Sequence, residues 1–443
     1  MFSITKEKNH KIEISPKLNK LNRKQLTNLR EDNFRKMILE ARSSNNLSKM
    51  YPNLDEIDSV EDISVLPVLT PSQLAKLCPP KSNSLLFNEQ DSGLVIRTSG
   101  TTSKPRYMYH SWGFTNQVGQ LGARGLASLD HDQTLFKKIG NCLLPGDLNG
   151  SFAFGQDIFQ KLSALTFPFG TQLDKDELIK QITYHKIDTL IGFPSVISDL
   201  FKNENMANSS VKNILFLGEA FGNRRKSEVQ KIKPSVLIKA LAYSTSETGP
   251  VGYQCHSTED QTFHIHEDSV IVEIVDEINE EPVPSGIEGK ILITALSTTG
   301  MALFRYDIGD RGYIEESACS CGDKTSLLKI TGRSNSIIVI DGLNISQDHI
   351  KEGLKKINIH NTHDCQFILT NYKDGSYDVT LQFREEYNPV IGKDEVLKAF
   401  MQTSYHLNRV LLSPRLNKFD IKFNNNFRVT NRGKHSFFSQ KEL

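Results

Sequence analysis

The sequence predicts an α/β protein, with a large unit of parallel strands layered against helices and a small α+β unit after it. Three observations carry that expectation. The 443 residues exceed one ordinary core, and at about 150 residues per core two or three folding units are expected. From about 93 to 330, short β-branched runs alternate with helical stretches, as parallel layers require. Beyond about 262 the runs become hairpin-like, and beyond 336 strands mix with a helix.

Taken in order, residues 1 to about 90 read as helices and loops. Leu26 to Leu47 carries apolar residues at helical spacing among many charges, as a surface helix does. In Leu66-Pro67-Val68-Leu69-Thr70-Pro71 a turn leads into a helix capped by Thr70, with Pro71 at its first position. Leu94-Val95-Ile96, Thr189-Leu190-Ile191, Ile214–Leu217 and Leu237–Ala240 read as buried strands, with helices Asp176–His185 and Ser195–Asn203 between them. Ser269–Val275 and Lys290–Thr294 are strands separated by a turn containing Pro and Gly. In the last unit Gln366–Leu369 and Val379–Phe383 read as strands, and Lys393–Leu407 as one helix. There is no internal repeat and no long low-complexity tract.

Composition excludes several classes. Hydrophobic residues at 38% and charged residues at 24% are a globular balance, not that of a disordered chain. Lys+Arg of 53 against Asp+Glu of 52 gives no overall field for nucleic acid or an anionic membrane. No apolar run approaches the ~18–20 residues that span a bilayer. The opening Met1–Lys8 has no apolar core of signal-peptide length, and six cysteines are too sparse for a disulfide scaffold. The expected compartment is the reducing cytoplasm. Residues 401–443 hold eight Lys/Arg against two Asp/Glu, either a solvated basic tail or a surface for a phosphate-bearing ligand.

The most informative segment is Arg97-Thr98-Ser99-Gly100-Thr101-Thr102-Ser103-Lys104-Pro105. It follows a strand and gathers small residues, hydroxyls and one cation, which is what cradling phosphate oxygens requires. It is not a Walker A loop, because the second glycine is missing and Arg106–His110 looks like a strand. Tyr243-Ser244-Thr245-Ser246-Glu247-Thr248-Gly249-Pro250 pairs an aromatic ring with hydroxyls and one carboxylate. Glu247 suits a hard magnesium ion shared with nucleotide phosphates, since that ion takes few protein carboxylates. In Arg305–Gly312, Asp310 follows a glycine in a tight turn and can accept hydrogen bonds from both ribose hydroxyls. Gly332-Arg333-Ser334-Asn335 then precedes the apolar strand Ile337–Ile340.

In order and spacing these segments resemble the adenylate-forming superfamily of acyl-CoA synthetases, adenylation domains and luciferases, most closely its phenylacetate–CoA ligase-like branch. The resemblance runs from about Leu26 to Lys434. Gly218-Glu219-Ala220-Phe221 looks like the turn that holds adenine, and Asn431-Arg432-Gly433-Lys434 like the motif of the catalytic lysine. The resemblance implies a large N-terminal layered α/β domain (1–332) with a small β-barrel-like subdomain, a hinge at 333–335, and a small mobile α+β domain (336–443). It implies that Thr98, Ser99, Gly100, Thr101, Thr102 and Lys104 hold ATP phosphates. Gly218, Glu219, Ala220, Tyr243 and Ser244 would hold adenine, Glu247 magnesium, and Asp310 and Arg333 the ribose. Lys434, with Lys104 and Glu247, would be catalytic. Three departures stand out: Ser103 for a loop glycine, Ser244 for a glycine after the tyrosine, and Asn335 where the hinge is usually Asp or Lys.

Cys255 and His264 lie nine positions apart, and Cys319-Ser320-Cys321 follows a strand-rich stretch. Three thiols and an imidazole make a soft tetrahedral set that suits zinc, and neighbouring cysteines of a C-x-C turn do not easily form a disulfide. His256 and His266 are the alternatives for the fourth ligand; His264 is preferred because its Phe263-His264-Ile265 setting resembles the branch. With no open coordination position such a zinc is structural. Cys78, Cys142 and Cys365 have no partner pattern and read as core residues, as does Trp112; His110, His185, His349 and His406 stay unassigned.

The implied reaction joins a small-molecule carboxylic acid to ATP and then to a thiol, either coenzyme A or a carrier-protein phosphopantetheine. A non-catalytic nucleotide-binding relative and transfer to a protein or reductase partner are the other readings. The acyl pocket is expected near Asn141–Phe154, Phe193-Pro194, Gly218–Phe221 and Tyr243–Gly249. Pro145–Gly150 departs from the aromatic-containing loop of typical phenylacetate ligases, which weakens phenylacetate itself as the substrate; the resemblance implies an aromatic or small functionalised acid. No nucleic acid or membrane span is expected, and the protein is expected to be a monomer or homodimer.

Overall fold

The computed structural model describes residues 12–88, 92–98, 106–130, 135–146, 148–170, 173–218, 221–258, 261–276, 279–315, 318–333, 337–341, 343–359, 365–388, 391–426 and 437–442. Those up to Thr98 and from Arg106 to Thr331 form one compact unit; those from Gly332 onward form a second.

At the front of the large unit, the helix Arg23–Ser43 starts at Asn22, whose side chain accepts from the Gln25 amide while Gln25 reaches back. Its stripe of Phe34, Met37, Ile38 and Ala41 shares a core with Ile291, Ile293, Phe304 and Tyr306 of the later sheet. The expected cap at Thr70 is present, with Pro71 first in the helix Pro71–Leu77.

A five-stranded parallel sheet runs in the order Leu165–Phe167, Lys138–Asn141, Thr189–Gly192, Asn213–Phe216 and Leu237–Ala240. Alternation sends Leu190, Ile214 and Ile238 to one face, against Leu178, Ile182 and Val229. Ile139, Ile191 and Leu215 face the other side, against Leu126, Ile158 and Phe159. Helices therefore cover both faces, which is why these strands read as unbroken apolar runs. Each fully buried aliphatic side chain there contributes roughly 1.5–3 kcal/mol. The seven-stranded sheet runs Val270–Val275, Gly289–Ala295, Leu303–Ile314, Leu327–Arg333, Thr262–Ile265, Gly249–Tyr253 and Tyr243–Thr245. The small unit is α+β. Its sheet orders Leu416–Phe423, Tyr377–Phe383, Cys365–Asn371 and Phe438–Glu442 over a core with Ile350, Leu354 and Phe400. Among the described residues no helix is long and apolar enough to cross a membrane.

Three expectations are corrected. Leu94-Val95-Ile96 is not a buried parallel strand. Gly93–Arg97 pairs antiparallel with Tyr107–Ser111 in a separate hairpin, and of those three residues only Ile96 is fully buried. Lys393–Leu407 is two helices, Lys393–Met401 and Tyr405–Leu411, because the Ser404 hydroxyl accepts from the Leu407 amide and restarts the chain. Trp112 is not in the core; it opens the helix Trp112–Ala127 just after the Ser111 cap and is 57% exposed. Lys138–Asn141 and Leu165–Phe167 carry few β-branched residues and escape the sequence pattern. Gly140 is needed in the first of these, since a Cβ would meet Leu190 and Phe169 at 2.9 Å.

Candidate active site and metal centre

Parallel strands deliver their carboxyl ends to one edge, where α/β sheets bind ligands. The strands ending at Asn141, Gly192, Phe216 and Ala240 lead into Cys142–Gly150, Phe193-Pro194, Gly218 and Tyr243. These are the segments expected to line the acyl and adenine sites. Gly218 has φ 82°, and a Cβ on it would meet the Phe193 ring at 2.7 Å, so only glycine makes this turn. Glu219 and Ala220 lie outside the described residues, as do Ser99, Gly100, Thr101, Thr102, Ser103 and Lys104 of the phosphate loop. Thr98 and Arg106 frame that loop, the Thr98 amide donating to the Arg106 carbonyl at 2.9 Å. The Thr98 hydroxyl is buried with no hydrogen-bond partner among the described residues.

Glu247 sits between the strands Tyr243–Thr245 and Gly249–Tyr253 and is 7% exposed. The Arg106 guanidinium donates to its Oε1 at 2.7 Å, and the Tyr306 hydroxyl donates to the same atom at 2.9 Å. Burial pushes the Glu247 carboxyl up, but the charge and hydrogen bond of Arg106, helped by Tyr306, outweigh it and hold the group below its ordinary range. Tyr306 is driven well above the usual phenol range by burial and by Glu247, so it remains a donor. Three sequence segments, the phosphate-loop frame, the Glu247 turn and the Arg305–Gly312 strand, thus meet at one ionised carboxylate.

The Tyr243 hydroxyl donates to Asp310 Oδ2 at 2.7 Å, and its ring stacks on Phe263 with centroids 5.3 Å apart. The adenine and ribose candidates Tyr243 and Asp310 are therefore neighbours. Ser244 is exposed beside them. Arg333 ends the strand Leu327–Arg333, but its side chain lies outside the described residues, as do Asn335 and Lys434.

Cys255, His264, Cys319 and Cys321 come together, with all four ligand atoms within 4.8 Å of one another. Cys255 Sγ lies 3.6 Å from Cys319 Sγ, and Cys321 Sγ lies 3.4 Å from His264 Nε2. The His264 Nδ1 sits 2.9 Å from the Thr325 hydroxyl, the outer partner that orients a metal-ligating imidazole. His266 is elsewhere, its Nδ1 2.7 Å from the Arg124 guanidinium. Burial raises Cys255, but hydrogen bonds from His264 and the Ser257 amide outweigh it and bring the thiol down to about 6. Burial and the neighbouring thiols push Cys321 up to about 12. One thiolate thus forms at the expense of the next, and a cation is what lets three ionise together. Cys78, Cys142 and Cys365 are buried in the apolar cores.

Sequence reasoning missed Arg106, Tyr306 and His110. His110 is 2% exposed, lies edge-on to Phe114 at 4.8 Å and stacks on Phe154 at 5.4 Å. Burial lowers it to about 4, so it is neutral at pH 7. The available signal was a charged Arg106 just before, and an imidazole within, a strand whose other residues include Tyr107, Met108 and Tyr109.

No family model matches the chain. It is similar to the phenylacetate-coenzyme A ligase of Thermus thermophilus, 24% identical over 323 residues, covering 69% of this chain and 70% of that protein. The ligase of the same name from Aromatoleum evansii is 25% identical over 344 residues, covering 76% and 74%. A crystal structure of 2-hydroxyisobutyryl-CoA ligase with 2-HIB-AMP and CoA superposes with a TM-score of 0.74, covering 96% of this chain and 92% of that one at 18% identity. The fold is that of the adenylate-forming enzymes. Sequence likeness supports the phenylacetate–CoA ligase-like branch and an adenylate-forming enzyme of the acyl-CoA ligase type.

Proposed function

We propose that the protein adenylates a carboxylic acid with ATP and then transfers the acyl group to coenzyme A. The observation that carries this is the meeting of three segments at Glu247, through Arg106 at 2.7 Å and Tyr306 at 2.9 Å. The substrate carboxylate attacks the α-phosphorus of ATP, pyrophosphate leaves, and the thiol then displaces AMP. Little covalent chemistry falls to the chain; it positions reactants and offsets charge. Thr98, Ser99, Gly100, Thr101, Thr102 and Lys104 hold phosphates. Gly218, Glu219, Ala220, Tyr243 and Ser244 bound the adenine, Asp310 and Arg333 the ribose, and Lys434 enters from the small domain. Glu247 fits magnesium: it is a carboxylate kept ionised beside Arg106, the residue that follows the phosphate loop in sequence. That ion, when bound, neutralises developing phosphate charge.

The Cys255, His264, Cys319 and Cys321 donor set fits zinc, and with four protein ligands its role is structural. Domains 1–332 and 336–443 turn about 333–335, in a cytoplasmic monomer or homodimer. The acid is aromatic or small and functionalised. The relatives' names, for phenylacetate and 2-hydroxyisobutyrate, support that class.

The test is ATP–pyrophosphate exchange against a panel of carboxylic acids. Acid-dependent exchange is expected, weakened in Glu247→Gln with unchanged acid preference. Normal exchange with altered preference in that variant would place Glu247 in the acyl pocket instead.

A further inference from the structure

The ligand loop Cys319–Ser326 faces two ways. Inward, Cys319 and Cys321 supply thiols, the Thr325 hydroxyl meets His264 Nδ1, and Asp323 accepts from the Thr325 amide and from the Tyr253 hydroxyl. Tyr253 in turn stacks on His264 and packs tilted against His266, with ring centroids 5.3 and 4.7 Å away. Outward, the same loop is held by the N-terminal segment. Arg23 grips the buried Glu267 carboxylate bidentately at 2.6 Å on each oxygen, and Glu267 Oε1 also accepts the Ser326 amide at 2.7 Å. Arg23 reaches the Lys324 carbonyl at 3.3 Å and the Ser326 hydroxyl at 3.4 Å.

A second anchor lies alongside. Asp268 accepts the Ser15 amide at 2.8 Å and pairs with Arg124, which donates to the Ser15 carbonyl at 2.7 Å and contacts His266. Asn33 holds the main chain of Glu13 and of Asp268, each at 2.8 Å. Between these anchors, Asn19 and Asn22 face Cys255, Cys321, Gly322 and Asp323 across a cavity of about 380 Å³. Two of the four ligands therefore line a cavity whose outer wall is the segment 19–22.

We propose that residues 13–23 are the retaining wall of the metal centre, with Arg23 and the Asp268-bound Ser15 as its positioning residues. This rests on the reading of the cluster as a metal site. The wall does not ligate the ion. It fixes the Cys319–Ser326 loop in the ligating geometry and covers the approach to Cys255 and Cys321, so it slows ion loss. Linkage makes the coupling reciprocal: docking that tightens metal binding is itself tightened by metal to the same degree. Arg23 is suited to this because its planar fork matches a carboxylate, a geometry that lysine does not reproduce.

The experiment uses the full chain reconstituted with zinc, its release timed with a chromogenic chelator, in wild type, Arg23→Ala and Arg23→Lys. All three are expected to load about one zinc. Arg23→Ala should release it about tenfold faster, within the ~5–150-fold range of ordinary coupling, and Arg23→Lys should fall between. Hydrogen exchange should rise over 13–23 and 319–326 on metal removal and stay level in the helix Lys393–Met401. A wild type that binds no zinc would overturn the metal reading and this inference with it. Zinc bound at full occupancy but released equally fast from Arg23→Ala, with the 13–23 amides unchanged by its loss, would overturn the wall alone.

Discussion

Arg106 and Glu247 are joined at 2.7 Å with side chains only 5% and 7% exposed, so each charge depends on the other. Arg106→Met leaves a carboxylate buried without its cation, and Glu247→Gln leaves a guanidinium buried without its anion. Breaking a buried pair from one side costs about 3–5 kcal/mol, whereas removing both charges is often close to neutral. The double variant should therefore be no less stable than either single variant, and the coupling should be about 3 kcal/mol or more. Tyr306→Phe removes one hydrogen bond to the same carboxylate and should cost about 1.5–3 kcal/mol. The assay is urea unfolding followed by fluorescence of Trp112, the chain's single tryptophan, which lies in the large unit and so isolates its transition from that of the small one. If the single effects added to within about 0.5 kcal/mol in the double variant, the pair would be two independent groups and the reasoning would be wrong.

Protein purified without added metal should carry about one zinc per chain. Cys319→Ser/Cys321→Ser should lose it and lose more thermal stability than adenylation activity; full zinc retention in that variant would remove the site. His110 gives a pH dependence. Its folded pKa of about 4 lies below the ordinary imidazole value of 6.5, so acid protonates the unfolded chain first. Its contribution is complete above about pH 6.5 and is lost as pH falls toward 4, with a slope of up to ~1.4 kcal/mol per pH unit. His110→Phe should flatten that limb of a stability–pH curve, and an unchanged limb would assign it to other groups. Lys434→Ala should lose adenylation yet still make thioester from supplied acyl-adenylate. Asn335→Pro, by fixing φ, should keep pyrophosphate exchange and lose thioester formation. Equal loss of both half-reactions in both variants, with folding intact, would sink the hinge.

What the sequence makes legible here follows the range of each interaction. Buried strands such as Thr189–Gly192 and Asn213–Phe216 announce themselves because both their faces are apolar. Thr70 and Pro71 do so because a cap is a contact across three residues. The Cys–His and C-x-C spacing was equally readable, whereas spacing alone did not choose the fourth ligand, and His264 was preferred only by the resemblance of its Phe263-His264-Ile265 setting. His264 and His266 share a face by alternation, and only the third dimension separates them, putting Thr325 and Cys321 beside one and Arg124 beside the other. The harder loss concerns charge. Arg106 and Glu247 stand 141 residues apart, and Tyr306 a further 59 beyond Glu247, so no local pattern links them. A motif reading therefore names the groups expected to touch ATP and overlooks the groups that hold Glu247. Once Glu247 is known to be buried, however, elementary electrostatics demands a nearby cation. The arginine directly after Pro105, at the entrance to the strand Tyr107–Ser111, was the residue in place to supply it.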